Sequence, residues 1–385
     1  MIIASKKVLL FIIPLIVLIF NILIIFNPAV IMSSARSGAL LWFNSVLPSL
    51  LPFMIGTNLL LRFGVVDFLG TLLEPVMKPL FGVSGKGAFA FVMGATSGYP
   101  IGAQICANLR ESGKISQIET QRLLSFVNNS GPLFMIGAVG VGMFGNERIG
   151  YFILITNLAG AVLTGMLFKF YKRKDREIPI PIKDSAVKSR VYDQPFGKIL
   201  SDSVWAALES LLKIAGFIIL FSVLLKILEI IGFIKKSAEF LLNLGIPFNR
   251  EIIESSLYGF IEITNGTNSL SALGTDRSVI ILCAALVAFG GMSIFSQSIA
   301  FLSKTDINPL IYFISKLLNA VLTAAAGFFL YPLFNFESPI LDSAVPVFAP
   351  GPVDRLLLST IICAMMLFTI LVTCFAVKIG QYIKK

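Results

Sequence analysis

The chain has 385 residues, of which 56% are hydrophobic and only 14% are charged, and it contains no histidine. About a quarter of the residues of a soluble domain are charged, so this composition excludes a soluble globular protein and predicts an all-α polytopic membrane protein. The missing histidine excludes a histidine-based triad, metal cluster or proton relay, and we expect neither an enzyme nor a cofactor. The net charge of +10 reflects basic clusters at the ends of apolar segments, which is typical of cytoplasmic anchors and not of nucleic-acid binding.

Eight apolar segments are long enough to cross a bilayer, because about 20 apolar residues span its hydrocarbon core. They are residues 8–26, 37–61, 87–107, 150–170, 204–231, 252–273, 309–333 and 356–377. Lys6 and Lys7 precede the first segment, which favours a cytoplasmic N-terminus. The run 8–26 exceeds the usual apolar core of a signal peptide, so we interpret residues 1–30 as a retained first transmembrane helix rather than as a cleaved leader.

Polar residues interrupt two of these segments, at residues 96–100 and 262–269. Backbone groups that are freed inside a membrane need partners, so such breaks occur where they are buried in protein or line a cavity. Paired breaks in two halves of a chain are typical of a transporter's binding site. The pattern therefore predicts two broken helices, 87–107 and 252–273.

Two further apolar stretches, 123–144 and 280–302, are interrupted midway by small polar residues and glycine. A helix–turn–helix that enters and leaves on one side of the membrane explains both patterns. We predict a re-entrant hairpin in each stretch.

The order of these elements recurs along the chain, which indicates two repeats. The most specific match joins 151–164 to 312–323, since both stretches begin with Tyr-Phe-Ile and end with Ala-Val-Leu-Thr. The predicted organisation is a first helix in 1–30, repeat 1 in 37–171, a cytoplasmic linker in 172–198, repeat 2 in 199–333, and a last helix with a basic tail in 356–385. Each repeat crosses three times, so the repeats are inverted, eight helices cross in all, and both termini are cytoplasmic.

Polar groups at membrane depth are the candidates for contact with a solute. They cost free energy there unless they have a partner, and they usually serve a function. Unwound backbone at Pro100 frees carbonyls, and glycine lets the backbone approach a ligand. The substrate-binding candidates are Ser97, Gly98, Tyr99, Pro100, Asn128, Asn129, Ser130, Gly131, Asn265, Gly266, Thr267, Asn268, Ser293, Ser296, Gln297 and Lys316.

Glu262, with Thr264 beside it, is the candidate for a coupling-ion or proton site. An ionised carboxylate near the centre of a bilayer needs a partner or a proton. A structural ion pair with Lys316 and a position near a helix end are the alternatives for Glu262. Three roles are open for Lys316: pairing with Glu262, neutralising an anionic substrate, or extending toward the cytoplasmic side.

Three motifs carry a resemblance to a known family. Residues 97–103, 126–134 and 137–145 closely resemble the YlbJ-type sporulation integral membrane proteins, also called stage V sporulation protein V, and the similarity runs from about residue 37 to 333. Residues 44–53 resemble the nucleoside-recognition Gate segment that is shared with concentrative nucleoside transporters.

The resemblance implies a role in endospore formation, the movement of dipicolinic acid across the mother-cell-derived outer forespore membrane. It implies a small-molecule anion as substrate, with membrane lipid around the protein. A coupling cation, Na⁺ or H⁺, and a homo-oligomer stay open. The alternative functions are transport of a nucleoside-like solute and a non-transporting membrane scaffold of sporulation.

Overall fold

The computed structural model describes residues 2–63, 65–172, 195–334 and 336, and this part of the chain contains helices and no strand. The helices of the first half are α1 (Ile2–Phe26), α2 (Pro28–Leu41), α3 (Leu47–Arg62), α4 (Val65–Phe81), α5 (Gly87–Ser97), α6 (Ile101–Glu111), α7 (Gln117–Val127) and α8 (Glu147–Phe168). Two π-helical segments, Trp42–Val46 and Leu133–Met143, lie before α3 and before α8. The all-helical fold class is confirmed for the described residues.

The second half contains seven helices in the described residues. They are α9 (Phe196–Ile230), α10 (Phe233–Asn243), α11 (Arg250–Ile261), α12 (Ile263–Ser271), α13 (Arg277–Phe289), α14 (Gly291–Leu302) and α15 (Pro309–Leu330). Parts of the predicted linker 172–198, the outer loop after residue 334 and the predicted last helix lie outside the described residues.

Four stretches among the described residues are long and apolar enough to cross a membrane: Glu147–Phe168, Phe196–Ile230, Arg277–Leu302 and Pro309–Leu333. A fifth arises if the first two helices count as one span, although they bend by 104° at their junction. Pro28 lies in the first turn of α2, where its missing N–H costs nothing. The protein is therefore an integral membrane protein with four to five spans in this part of the chain, and eight crossings remain a prediction.

In the structure, the two segments 87–107 and 252–273 fold back on themselves, whereas the two segments that were predicted as hairpins do not. Helices α5 and α6 pack along each other, and so do α11 and α12. By contrast, α7 does not pack along Leu133–Met143, and α13 does not pack along α14. The two pairs that fold back, α5–α6 and α11–α12, are called here the first and second hairpins. The pairs whose members do not pack along each other, α7 with Leu133–Met143 and α13 with α14, are called the first and second discontinuous helices.

Glycine pairs explain why these two segments fold back. A Cβ added to Gly266 would collide with the backbone of Gly259, and a Cβ added to Gly94 would lie 3.3 Å from the Cα of Gly102. The two arms of a hairpin approach this closely only where side chains are absent. A polar break in the sequence shows that a helix stops, whereas close contact between the arms decides where the chain goes next.

Apolar side chains fill the space between these elements. Phe81 stacks on Phe126 with ring centroids 4.4 Å apart, and Phe91 packs on the same pair. Cys106 and Cys283 are buried free thiols. Cys363 and Cys374 lie outside the described residues.

Polar contacts join the foot of the first hairpin to the loop between α14 and α15. Arg110 donates to both carboxylate oxygens of Asp306, at 2.8 and 2.7 Å. Gln117 donates to the Asp306 carbonyl at 2.6 Å. The Gln121 side chain accepts from Asn308 N at 3.0 Å and donates to the Asn308 carbonyl at 3.3 Å. These contacts tie the two halves of the chain together at one end.

Substitution of Gly266 tests the second hairpin. In Gly266→Ala the added methyl meets backbone that cannot rotate away, so we expect a loss of roughly 1–3 kcal/mol in the free energy of unfolding. Gly216→Ala is the matched control, because a Cβ at Gly216 meets no atom within 4 Å. Alanine should stabilise the helix there by about 0.5–1 kcal/mol. Thermal unfolding in detergent measures both variants, and equal shifts would contradict the close contact.

The ion pair at Asp306 predicts a pH dependence. The hydrogen bond from Arg110 lowers the pKa of the Asp306 carboxyl below its usual value. A lowered pKa stabilises the folded state above the pKa of an unfolded aspartate, about 3.9, and this contribution is lost as the pH falls through the lower folded value. Asp306 is half exposed, so Asp306→Asn should cost about 1 kcal/mol at pH 7.

The difference in melting temperature between the parent protein and Asp306→Asn should therefore shrink as the pH is lowered below about 4. The exposed Asp276 supplies the control Asp276→Asn. A difference at Asp306 that is unchanged down to pH 3 would contradict the ion pair.

Candidate functional site

The tips of the two hairpins meet the breaks of the two discontinuous helices. Gly98, at the first tip, has a φ of +85° and packs so closely that an added Cβ would lie 3.0 Å from the Cα of Gly131. Gly291, in the second discontinuous helix, lies against the second tip, since its added Cβ would be 3.3 Å from the carbonyl oxygen of Ile261. Each hairpin thus touches one break.

Tyr99 connects the two halves of this junction. A Cβ added to Gly290 would lie 3.4 Å from the Tyr99 ring, so the tip of the first hairpin reaches the break of the second discontinuous helix. The Tyr99 hydroxyl lies beside Ser130. Four interruptions of helical backbone, two from each half, therefore surround one place in the molecule.

Asn128 ties three elements together at this place. The backbone N–H of Ala103, in the first turn of α6, donates to Asn128 Oδ1 at 3.3 Å. Asn128 Nδ2 donates to Ser298 Oγ at 2.9 Å and to Tyr312 Oη at 2.7 Å. Since these partners lie on the first hairpin, the second discontinuous helix and α15, a fully buried side chain positions all three.

Lys316 is buried among neutral partners. Its Nζ donates to the carbonyl oxygen of Asn128 at 2.8 Å and to Asn129 Oδ1 at 3.1 Å. Asn319 Nδ2 donates to the same Asn129 oxygen at 2.8 Å. Lys316 is only 2% exposed, and it forms no ion pair with a carboxylate in the described part of the chain. Two neutral oxygens occupy two of the three N–H donors of an ammonium group.

Several buried oxygens around this cluster have no hydrogen-bond partner among the described residues. They include Tyr99 Oη, Ser130 Oγ, Gln297 Oε1 and Asn319 Oδ1. Buried polar atoms are almost always paired with protein or water. The cluster therefore contains donors and acceptors that a bound molecule or ordered water can satisfy.

Glu262 caps the second hairpin and does not pair with Lys316. It is the N-cap of α12, and its carboxylate accepts from Thr264 N at 3.0 Å, Asn265 N at 2.8 Å and Asn265 Nδ2 at 2.8 Å. The turn of the hairpin leaves the first N–H groups of α12 without helical partners, and a carboxylate is well suited to that positive end. Glu262 is half-buried. Among the alternatives for Glu262, the structure rejects the ion pair with Lys316.

Four of the predicted substrate-binding residues differ in their exposure. Asn129 and Ser130 are buried in the cluster, whereas Asn265 and Asn268 are exposed. Gly266 packs on Gly259.

The remaining candidates mostly serve local structure. The Thr267 hydroxyl donates to the Ile263 carbonyl at 2.9 Å, and the Ser97 hydroxyl donates to the Met93 carbonyl at 2.6 Å. Pro100 is the N-cap of α6. Ser293 accepts from Gln297 Nε2 at 3.3 Å, and Ser296 is half-buried.

Tyr312 and Asn319 belong to the cluster but were not predicted as site residues. The spacing of Tyr312, Lys316, Asn319 and Thr323 places four polar side chains on one face of α15. This stripe of polar side chains on an apolar helix is the sequence signal that identifies Tyr312 and Asn319 as site candidates.

Helices α8 and α15 carry an asparagine at the same position. Asn157 follows the first residue of α8 by ten positions, and Asn319 follows the first residue of α15 by ten positions. Both amides donate to α13, Asn157 to Ala284 O at 3.2 Å and Asn319 to Ala288 O at 3.4 Å. Asn157 therefore matches Asn319.

Comparison with known proteins identifies the family of the chain. The family model Gate, described as nucleoside recognition, matches residues 43–147. The sporulation integral membrane protein YlbJ of Bacillus subtilis (strain 168) is 36% identical over 332 residues, which covers 81% of this chain and 80% of that protein. No solved structure matches the chain. With this identity and coverage, and with the family's motifs forming the hairpin tip and the first break, the chain belongs to the YlbJ family of sporulation integral membrane proteins.

Proposed function

We propose that this protein transports dipicolinate, a small aromatic dicarboxylate, across the outer forespore membrane during endospore formation. The observation that carries the proposal is the buried Lys316, which lies at the junction of the helix breaks and donates only to neutral oxygens. The membership of a sporulation family supports the biological setting.

The chemistry of the cluster suits an anion. A buried ammonium group without a carboxylate is costly, and a bound carboxylate would offset that cost. The third N–H donor of Lys316 is available for it. The hydroxyls of Tyr99 and Ser130, which lack partners in the described residues, are donors for a second carboxylate.

An inverted repeat is the architecture we propose around this site. The continuous helical run from Pro28 to Arg62 is as long as α9, and one hairpin, one discontinuous helix and one 22-residue helix follow in each half. With a cytoplasmic N-terminus this order accounts for eight crossings and two cytoplasmic termini. Movement of one repeat against the other would then open the site to each side in turn.

A nucleoside-like solute is the second candidate. The Gate match points toward nucleoside recognition, and the amide oxygens Gln297 Oε1 and Asn319 Oδ1 lack partners among the described residues. Such acceptors suit the N–H and O–H groups of a base or a sugar. A membrane scaffold would need none of these groups for a solute.

Removal of the ammonium group tests the anion proposal. Lys316→Met should lower the uptake of labelled dipicolinate into proteoliposomes at least 10-fold, because the fixed charge that faces the carboxylate is lost. Lys304→Met is the matched control, since Lys304 is exposed, and its uptake should equal that of the parent. Labelled uridine is measured in parallel.

Uptake of uridine without dipicolinate would overturn the dicarboxylate assignment and favour the second candidate. A Lys316→Met protein that melts normally and transports dipicolinate normally would remove Lys316 from the site. Uptake of neither solute by the parent protein would support the scaffold.

Glu262, with Thr264 as a backbone donor to it, is proposed as the coupling group for Na⁺ or H⁺. Glu262→Gln removes the charge from the helix cap and should cost about 1 kcal/mol in stability. Because Glu262 and Lys316 form no ion pair, the losses in Glu262→Gln and Lys316→Met should add in the double variant within about 0.5 kcal/mol. Uptake by Glu262→Gln should lose its response to a sodium or pH gradient.

Thermal melts of the three variants measure the losses in stability. Uptake with and without each gradient measures the coupling. Rescue of stability by the second substitution would contradict the separate roles of the two residues. A gradient response equal to that of the parent would exclude Glu262 from coupling.

A further inference from the structure

The two hairpins differ in how their polar groups are used. Hydrogen bonds join the first hairpin to three other elements: from Ala103 N to Asn128 Oδ1 at 3.3 Å, from Gln104 Nε2 to Ser210 Oγ at 2.8 Å, and from Arg110 to both carboxylate oxygens of Asp306 at 2.8 and 2.7 Å. These elements are the first discontinuous helix, α9 and the loop between α14 and α15. The first hairpin is therefore tied to its surroundings by directional bonds.

Movement of the first hairpin would leave buried polar groups without partners. Asn128 is fully buried, and its oxygen accepts from an N–H group in the first turn of α6. The carbonyl oxygen of Val127 lies between the two arms, because a Cβ added to Gly94 or to Gly102 would collide with it. A buried donor or acceptor that loses its partner costs its desolvation free energy. This cost opposes separation of the first hairpin from the first break.

The second hairpin satisfies its polar groups within itself. The Glu262 carboxylate accepts from Thr264 N and Asn265 N, and the hydroxyls of Ser255 and Ser269, on opposite arms, lie 2.7 Å apart. Within the ranges that the structure describes, no hydrogen bond joins this hairpin to a discontinuous helix, to α8 or to α15. The hairpin can therefore move against these elements without leaving a buried polar group unpaired.

Apolar contacts hold the second hairpin on the site. The Phe260 ring stacks on Phe289 of α13 with centroids 5.1 Å apart. Ile263 and Leu270 belong to the apolar core cluster that also contains Cys283 of α13. Apolar contact is non-directional, so it does not fix one position of the hairpin in the way that hydrogen bonds fix the first hairpin.

The polar contacts that the second hairpin makes with α9 and α10 are weak restraints. Arg250 pairs with Glu239 of α10, and both side chains are about half exposed, where an ion pair contributes little. The Tyr258 hydroxyl lies beside Glu229 of α9. Tyr258 is half-buried, so water can replace this partner when the hairpin moves.

The chain can bend at both ends of the second hairpin. Gly245 and Gly274 have φ values of +82° and +109°, and a Cβ added to either would meet no atom within 4 Å. By contrast, the carbonyl of Gly82, which precedes the first hairpin, accepts from Arg122 at 2.6 Å. Hinges are commonly a few residues at the ends of elements that can change their backbone angles. The two free glycines fit that role.

We propose that the second hairpin is the gate of the Lys316 cluster and turns on the two glycines that flank it, while the first hairpin stays in place. The tip of the second hairpin lies on Gly291, and the neighbouring Gly290 faces the Tyr99 ring. Lifting the tip would therefore uncover the second break beside the cluster. The inference rests on the proposed function, because a gate presumes a solute, but the opening itself can be measured without one.

Two matched cysteine variants test the gate. In a cysteine-free background, Phe289→Cys is compared with Phe126→Cys. Both phenylalanines are buried in the last turn before a break, and each packs on a hairpin ring, Phe289 on Phe260 and Phe126 on Phe91. N-Ethylmaleimide is applied to the purified protein. We expect Phe289→Cys to react at least 10-fold faster, and equal rates or a faster reaction at Phe126→Cys would overturn the proposal.

The native thiols repeat the comparison without creating a cavity. Cys106 lies in the first hairpin and Cys283 in the cluster beneath the second, and both are fully buried. Chains that retain a single native cysteine should show faster reaction at Cys283 than at Cys106. If either phenylalanine variant fails to melt cooperatively, this pair decides, and reaction at Cys106 as fast as at Cys283 would overturn the gate.

Release of the first hairpin tests why it stays in place. Adding Asp306→Asn should raise the rate at Phe126→Cys several-fold, because the ion pair with Arg110 is lost, and should leave the rate at Phe289→Cys unchanged. An unchanged rate at Phe126→Cys would overturn the polar ties as the cause of the difference between the hairpins.

Dipicolinate separates the gate from the proposed substrate. A bound solute should hold the gate closed, so saturating dipicolinate should slow the reaction at Phe289→Cys several-fold and leave Phe126→Cys unchanged. If the rates differ between the hairpins but dipicolinate slows neither, the proposed substrate fails and the gate stands. If both positions react equally while the parent takes up dipicolinate, the gate fails and the proposed function stands.

Discussion

The pairing of backbone groups at the helix breaks is the constraint on which the rest of the structure depends. Each break frees N–H and C=O groups inside an apolar protein, where an unpaired group costs free energy. Asn128 Oδ1 accepts from the first turn of α6, Glu262 caps the first turn of α12, and Lys316 donates to the freed carbonyl of Asn128. The polar residues at membrane depth therefore hold the breaks in place.

The same groups have the chemistry that the proposed binding of an anion requires. Side chains that satisfy a break are held at defined positions, and several buried oxygens around them have no partner among the described residues. Lys316 shows this double use, because it donates to the first break and pairs with no carboxylate among the described residues. A site built in this way would change shape when either hairpin moves, which is the behaviour expected of a transporter that alternates its access.

Glycine determines which segments move together. Gly259 and Gly266 press the arms of the second hairpin into contact, so the hairpin can act as one unit. In contrast, Gly290 has a φ of +86° and interrupts a helix that continues in its direction across the break. Each half of the chain therefore contributes one hairpin and one discontinuous helix to the same site.

The sequence by itself determined the membrane class, the family motifs, the positions of the breaks and several of the buried polar residues, because composition and interruptions of apolar runs are local signals. Asn128, Asn129, Ser130, Gln297 and Lys316 were all predicted and lie in the cluster. Only the tertiary structure decided which segments fold back, that Glu262 caps a helix, and that Tyr312 and Asn319 complete the site. These properties depend on which helices touch, and side-chain contacts between residues far apart in the chain leave no local pattern.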